Sequence, residues 1–165
     1  MTSTFIIYTR RVLIVIITIF FILFLTDDLY HYQFQLPSNV LKFICILLCL
    51  VISIISSPLQ RQSKNIFLLH LGLIFTTMAD YIFLIQNEHY CIAIGLFSIV
   101  QIIYSLRYRE GNEKIRIFRF IIEFIIIYFL YIIINSYYEI DFLIAISIFY
   151  SRCLYSSIKE AFWLF

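Results

Sequence analysis

Long apolar runs separated by short polar connections dominate this sequence. Hydrophobic residues make up 63% of the 165-residue chain and charged residues 13%, a balance outside the range of soluble domains. Only three glycines and two prolines interrupt the runs, and the runs lack the alternation of apolar and polar residues that a membrane β-barrel requires. In lipid, such runs form helices with internally satisfied backbones. The sequence therefore predicts an all-α, polytopic transmembrane helix bundle of about six helices.

Six runs are assigned as the helices of a single domain that covers residues 1–165. They are Val12 to Thr26, Val40 to Ile55, Ile66 to Ile85, Cys91 to Leu106, Ile117 to Ile134 and Ile140 to Ile158. Several are shorter than the roughly 20 residues that cross about 30 Å of hydrocarbon, so we expect flanking Tyr and Thr residues to complete the spans. The first run lacks a small-residue cleavage site after Thr26, which favours a retained helix over a signal peptide.

The basic residues predict how the helices are oriented. Eleven of the twelve lysines and arginines belong to one set of connections and the helix ends beside them, and Lys42 alone belongs to the other set. The most basic connection separates the fourth and fifth runs and includes Arg107, Arg109, Lys114, Arg116 and Arg119. Because cytoplasmic connections carry the excess of Lys and Arg, we expect both termini on the cytoplasmic side of the cell membrane.

Charge and cysteine content argue against several kinds of ligand. The net charge of +2 comes from short basic clusters rather than from a basic face, so no nucleic-acid partner is expected. The cysteines lie inside apolar runs, with no C-x-x-C pair and no histidine at ligand spacing. We expect them to pack as small hydrophobes, His70 to be interfacial or packed, and no metal or other cofactor to bind. The four cysteines are Cys45, Cys49, Cys91 and Cys153.

Two acidic residues, Asp80 and Glu123, lie inside predicted helices, where a carboxylate costs roughly 2.5–3.5 kcal/mol to insert. Glu123 follows Arg119 by four residues, which predicts a local ion pair. Asp80 has no such partner in its helix, and removal from water disfavours its charged form. We expect Asp80 to hold a proton and to suit general acid catalysis, or else to bond a neighbouring helix. The depths of the two acids differ by roughly 12 Å, too far for a shared proton.

Two blocks around Asp80 have the order and spacing of a known family. The segment from Gly72 to Leu84 looks like a G-L-x-F-x-x-x-[GA]-D-x-x-L block, and Phe97 to Tyr104 matches F-x-x-x-[HQ]-x-x-Y about twenty residues later. Upstream, Ser57-Pro58-Leu59 resembles a short proline-containing connection before the Asp helix. These features resemble the lysoplasmalogenase-like, or YhhN-type, integral membrane proteins.

The resemblance implies hydrolysis of the vinyl ether bond of lysoplasmalogens, which gives a fatty aldehyde and a glycerophospho-alcohol. Protonation of the vinyl ether at carbon creates an oxocarbenium-like centre that water attacks, so such an enzyme needs a proton donor and a means of orienting water. Asp80 is then expected to be the acid or its conjugate base, with Gln101 and Tyr104 as hydrogen-bonding partners of water or substrate. The expected partners are membrane lipids, with a lysophospholipid as substrate.

The chain departs from the family in two respects. The family carries a second acidic block, F-x-x-[SC]-D, and the nearest segment here, Phe149-Tyr150-Ser151-Arg152, has a base in place of the acid. The sequence also ends at Phe165, earlier than typical members, so one or two terminal helices are expected to be missing. Two alternatives stay open: a non-catalytic protein of the same fold that binds a lipid or partner, and a small transporter, which the lack of Gly- and Pro-broken helices disfavours.

Overall fold

A computed structural model of the chain describes residues 3–30, 37–57, 63–108 and 113–162. These residues form six helices and no strand, which confirms the predicted all-α architecture. A π-helical segment, Tyr81–Gln86, continues the third helix. The helices are α1 (Ser3–Tyr30), α2 (Ser38–Ser56), α3 (Ser63–Asp80), α4 (Tyr90–Tyr108), α5 (Glu113–Asn135) and α6 (Phe142–Phe162).

Most helices extend beyond the apolar runs that predict them. α1 begins at Ser3 rather than Val12, and α5 begins at Glu113 rather than Ile117. Helical hydrogen bonding continues through these polar residues because it pairs the backbone N–H and C=O groups as the helix approaches the edge of the hydrocarbon. Of the residues used in the predictions above, Pro58, Leu59, Arg109 and Phe165 lie outside the described ranges.

Five of the described helices are long and apolar enough to cross a membrane: α1, α2, α3 together with its π-helical segment, α4 and α5. The protein is therefore a multi-pass membrane protein. α6, the predicted sixth span, has 21 residues but is less apolar than the other five. Its second half contains Arg152, Lys159 and Glu160, and the Glu160 side chain is buried in the protein.

The helices are neighbours in the order α1, α2, α3, α4, α6, α5, and α4 packs most extensively against α3 and α6. Small residues on α4, among them Ala93, Ser98 and Ser105, are buried at these contacts and allow the close backbone approach that membrane helices use. Phe120 of α5 meets Phe149 and Cys153 of α6 in a buried cluster. α5 thus joins the bundle mainly through α6.

Ion pairs connect helices at both ends of the bundle. Lys42 of α2, the single base in the second set of connections, lies 2.6 Å from Asp28 of α1. Ser38 donates a hydrogen bond of 2.5 Å to the same carboxylate. At the other end, Lys64 of α3 pairs with Glu113 of α5. The positive charge of Lys42 is therefore neutralised at its own helix end.

Candidate functional site

Asp80 is the last residue of α3 and lies where the α-helix passes into the π-helical segment. Its side chain is half-buried, and in the part of the chain that the structure describes it has no hydrogen-bond or ion-pair partner. Gly72, Thr76 and Asp80 follow one another at intervals of four residues and so share one helix face. Because π-helical turns often accompany functional sites, this junction is a candidate site.

Tyr104 of α4 packs directly on the face of α3 that carries Gly72. A Cβ added at Gly72 would lie 2.5 Å from Tyr104 Cε1, so only glycine leaves room for the ring. The Tyr104 hydroxyl oxygen would lie 3.2 Å from the same added Cβ. On this face, Thr76 donates a hydrogen bond of 2.9 Å to the Gly72 carbonyl oxygen. The two sequence blocks thus meet across the α3–α4 contact.

We expect Gly72→Ala to destabilise the protein by about 1–3 kcal/mol, the usual cost of overpacking a filled contact. The added methyl group has to displace the Tyr104 ring or separate α3 from α4. Denaturation in detergent, followed by circular dichroism, measures the loss. Gly95→Ala is the matched control, because its Cβ would meet Ile146 Cδ1 at 3.5 Å, an ordinary contact. Equal stability of the two variants would contradict this account of Gly72.

Gln101, the third predicted site residue, faces a different helix. Its Oε1 accepts a hydrogen bond of 2.6 Å from Ser157 of α6. Tyr104, by contrast, lies level with Gly72, eight residues or about 12 Å along α3 from Asp80. The structure therefore brings Tyr104 to α3 and Gln101 to α6, and it does not gather the three side chains around one point.

Glu123 has the predicted local partner and a second one that the sequence pattern did not indicate. Arg119 Nε lies 4.0 Å from Glu123 Oε1, which confirms the expected pair within α5. Arg152 of α6 makes the shorter contact, with Nη2 at 3.2 Å from the same oxygen. Arg152 is the base that stands where the family block has an acid, and here it links α6 to α5.

The most deeply buried charges, Arg116 and Glu160, were not predicted as a pair. Arg116 Nη1 lies 3.0 Å from Glu160 Oε2 and 2.9 Å from the Ser105 carbonyl oxygen, to which it donates. The Ser105 hydroxyl donates to Glu160 at 3.1 Å, and the charged side chains are only 9% and 6% exposed. This Arg116–Glu160 cluster joins α4, α5 and α6. In the sequence, Arg116 and Glu160 each appear as a charged residue in an end turn of a helix, and this pattern does not identify the partner of either residue.

The cysteines are free, with Cys45 and Cys153 buried and the other two half-buried, as expected for packed apolar side chains. His70 is half-buried, and its Nε2 atom is enclosed and has no hydrogen-bond partner among the described residues. The described residues contain no group of three or more His, Cys, Asp or Glu side chains placed to hold a metal ion. No protein-family model, curated protein or solved structure matches this chain.

Proposed function

We propose that this protein acts on single-chain ether lipids and hydrolyses the vinyl ether bond of a lysoplasmalogen, as the YhhN-type proteins that it resembles do. The observation that carries the proposal is Asp80, a half-buried carboxyl group without a partner in the described chain. An ionisable group inside a spanning helix raises the free energy of membrane insertion, and such groups usually serve a function. The meeting of the two sequence blocks at Gly72, Thr76 and Tyr104 supports the resemblance.

In the proposed reaction, Asp80 supplies the proton for the chemical step. Transfer of this proton to the vinyl ether carbon forms an oxocarbenium ion, and the Asp80 carboxylate is then available to take a proton from the attacking water. The hemiacetal collapses to a fatty aldehyde and a glycerophospho-alcohol, and one water is consumed. Tyr104 and Gln101 contribute by holding α4 against α3 and α6, because both are engaged in contacts between helices.

The proposed orientation places both termini on the cytoplasmic side of the cell membrane, with α6 as a sixth span. Arg10, Lys64 and Lys114 then lie at the same end of the bundle, in agreement with the excess of basic residues in cytoplasmic connections. Burial of Glu160 against α4 and α5 reduces the polar surface that α6 presents to lipid.

The substitution Asp80→Asn tests the proposal, because it removes the proton donor and leaves side-chain volume almost unchanged. Purified protein in lipid nanodiscs is assayed for aldehyde released from a lysoplasmalogen. We expect the parent to release aldehyde and the variant to do so at least 100-fold more slowly. General acid catalysis contributes about 10²–10⁴-fold to a reaction rate, and this expectation takes the lower end of that range. Asp27→Asn, at the end of α1, is the control and should retain activity. An inactive parent, or an active Asp80→Asn variant, would refute the proposal.

A second candidate function is binding of a lysolipid without turnover. The contacts of Gln101 with Ser157 and of Tyr104 with α3 at Gly72 favour it, because side chains engaged in packing are not available to orient water. This function predicts saturable binding of a lysolipid and no aldehyde. Absence of saturable binding would count against it.

A further inference from the structure

A groove between α5 and α6 forms a second feature, separate from Asp80. It has a volume of about 500 Å³ and is lined by Glu123, Ile126 and Ile127 of α5 and by Ile148, Ser151, Arg152 and Tyr155 of α6. This volume lies within the roughly 300–1,000 Å³ typical of ligand sites. A smaller groove of about 350 Å³ adjoins it through Ile148 and Ser151 and reaches Leu143 and Ile144.

The two grooves form one track along α6. From Tyr155 to Leu143 the helix rises about 18 Å at 1.5 Å per residue. Isoleucines line most of its length, and the charged residues occupy one end. The track therefore has the shape and polarity of a lipid, with a place for a chain and a place for a headgroup.

The charged end of the track carries an excess of positive charge. Arg119 and Arg152 both contact the single carboxylate of Glu123, at 4.0 and 3.2 Å. Their side chains remain 48% and 50% exposed, although exposed charge within a membrane protein is costly without a partner. The buried carboxylate of Glu160 lies 3.0 Å from Arg116 and 3.9 Å from Arg119. The three arginines therefore share two carboxylates, which leaves one net positive charge beside the groove.

We propose that the α5–α6 groove binds a phospholipid with an anionic headgroup. The phosphate lies at Arg152 and Arg119, and one acyl chain follows Ile148, Ile144 and Leu143 along α6. Basic pockets between membrane helices bind anionic headgroups in this way, and arginine forms paired hydrogen bonds with phosphate. The site does not depend on the proposed hydrolysis at Asp80, and Asp80→Asn should leave lipid binding unchanged.

Native mass spectrometry tests the site with the full chain. The protein is released from nanodiscs that contain equal parts of phosphatidylglycerol and phosphatidylcholine with identical acyl chains. We expect it to retain phosphatidylglycerol over phosphatidylcholine by about fivefold, because one basic residue contributes about 1 kcal/mol to binding of an anionic lipid. Arg152→Gln should abolish the preference, and Glu123→Gln should strengthen it. Arg10→Gln, at an exposed position on α1, is the matched control and should retain the parental preference.

The triple variant Arg119→Gln/Glu123→Gln/Arg152→Gln covers the case in which a single variant fails to fold, because it removes both arginines together with the carboxylate that they contact. We expect the folded triple variant to lose the preference as well. Equal retention of the two lipids by the parent, or an unchanged preference in the triple variant, would overturn the site. So would Arg152-dependent binding of inorganic phosphate without lipid, or pairing of two copies through the groove in place of lipid.

Discussion

Replacing Arg116 with leucine is expected to lower the free energy of unfolding by about 3–5 kcal/mol, the typical cost of leaving one charge of a buried pair without its partner. Glu160, 6% exposed, would lose its hydrogen bond from Arg116. Among the described residues it would keep the hydrogen bond from the Ser105 hydroxyl and a contact of 3.9 Å with Arg119. The Ser105 carbonyl would also lose a donor. One substitution therefore weakens the contact of α5 with both α4 and α6.

A double-mutant cycle separates this explanation from a general effect of substitution in α5. Arg116→Leu/Glu160→Leu removes both charges, and well-packed apolar replacements of buried pairs are often neutral or stabilising. The double variant should therefore be more stable than Arg116→Leu alone when both are denatured in detergent and followed by circular dichroism. Lys114→Leu, at an exposed position on the same helix, should have little effect. A double variant as unstable as the single one would contradict the role assigned to the pair.

Phe120→Ala is expected to produce the second-largest loss of stability. The ring is 2% exposed and packs against Phe149 and Cys153. Lipid is as apolar as the protein interior, so removal of the ring from water contributes little to the stability of the fold. The loss of stability in Phe120→Ala therefore comes from the cavity that the ring leaves. At about 24 cal/mol per Å³, a void of about 100 Å³ corresponds to about 2.4 kcal/mol.

Phe118→Ala is the matched control for this prediction, because Phe118 is on the same helix and 63% exposed. Its removal leaves no cavity, so thermal unfolding of this variant in detergent should resemble that of the parent. If Phe118→Ala and Phe120→Ala lowered the stability equally, the loss would reflect lower helix hydrophobicity rather than packing. That result would contradict the buried contact between α5 and α6.

Much of the fold could be predicted because hydrophobicity and helix length are local properties. Each of the six predicted runs overlaps a helix of the structure. The start of α1 at Ser3 was missed because Arg10 and Arg11 end the apolar run without ending the helix. α6 was predicted from its apolar first half. The charged residues Arg152 and Glu160 in its second half are explained by the α5 residues that they contact, and these contacts are not visible in the sequence.

The candidate site shows where this local reasoning ends. Arg119 and Glu123 were predicted as a pair because four residues of separation place them on one helix face. Pairing of Arg116 with Glu160 spans 44 positions, and no periodicity indicates which helices are neighbours. For the same reason Gln101 and Tyr104, three residues apart and expected to act together, contact different helices.

The position of α5 at the edge of the bundle also has a consequence for biosynthesis. Glu123 and Arg116 leave the ribosome 29 and 44 residues ahead of their respective partners on α6. At roughly 5–20 residues per second, the longer interval lasts about 2–9 s. Throughout this time Arg116 lacks the Glu160 carboxylate and Glu123 has only its pair with Arg119 on the same helix, so release of the fifth helix from the translocon into lipid should await the arrival of the sixth.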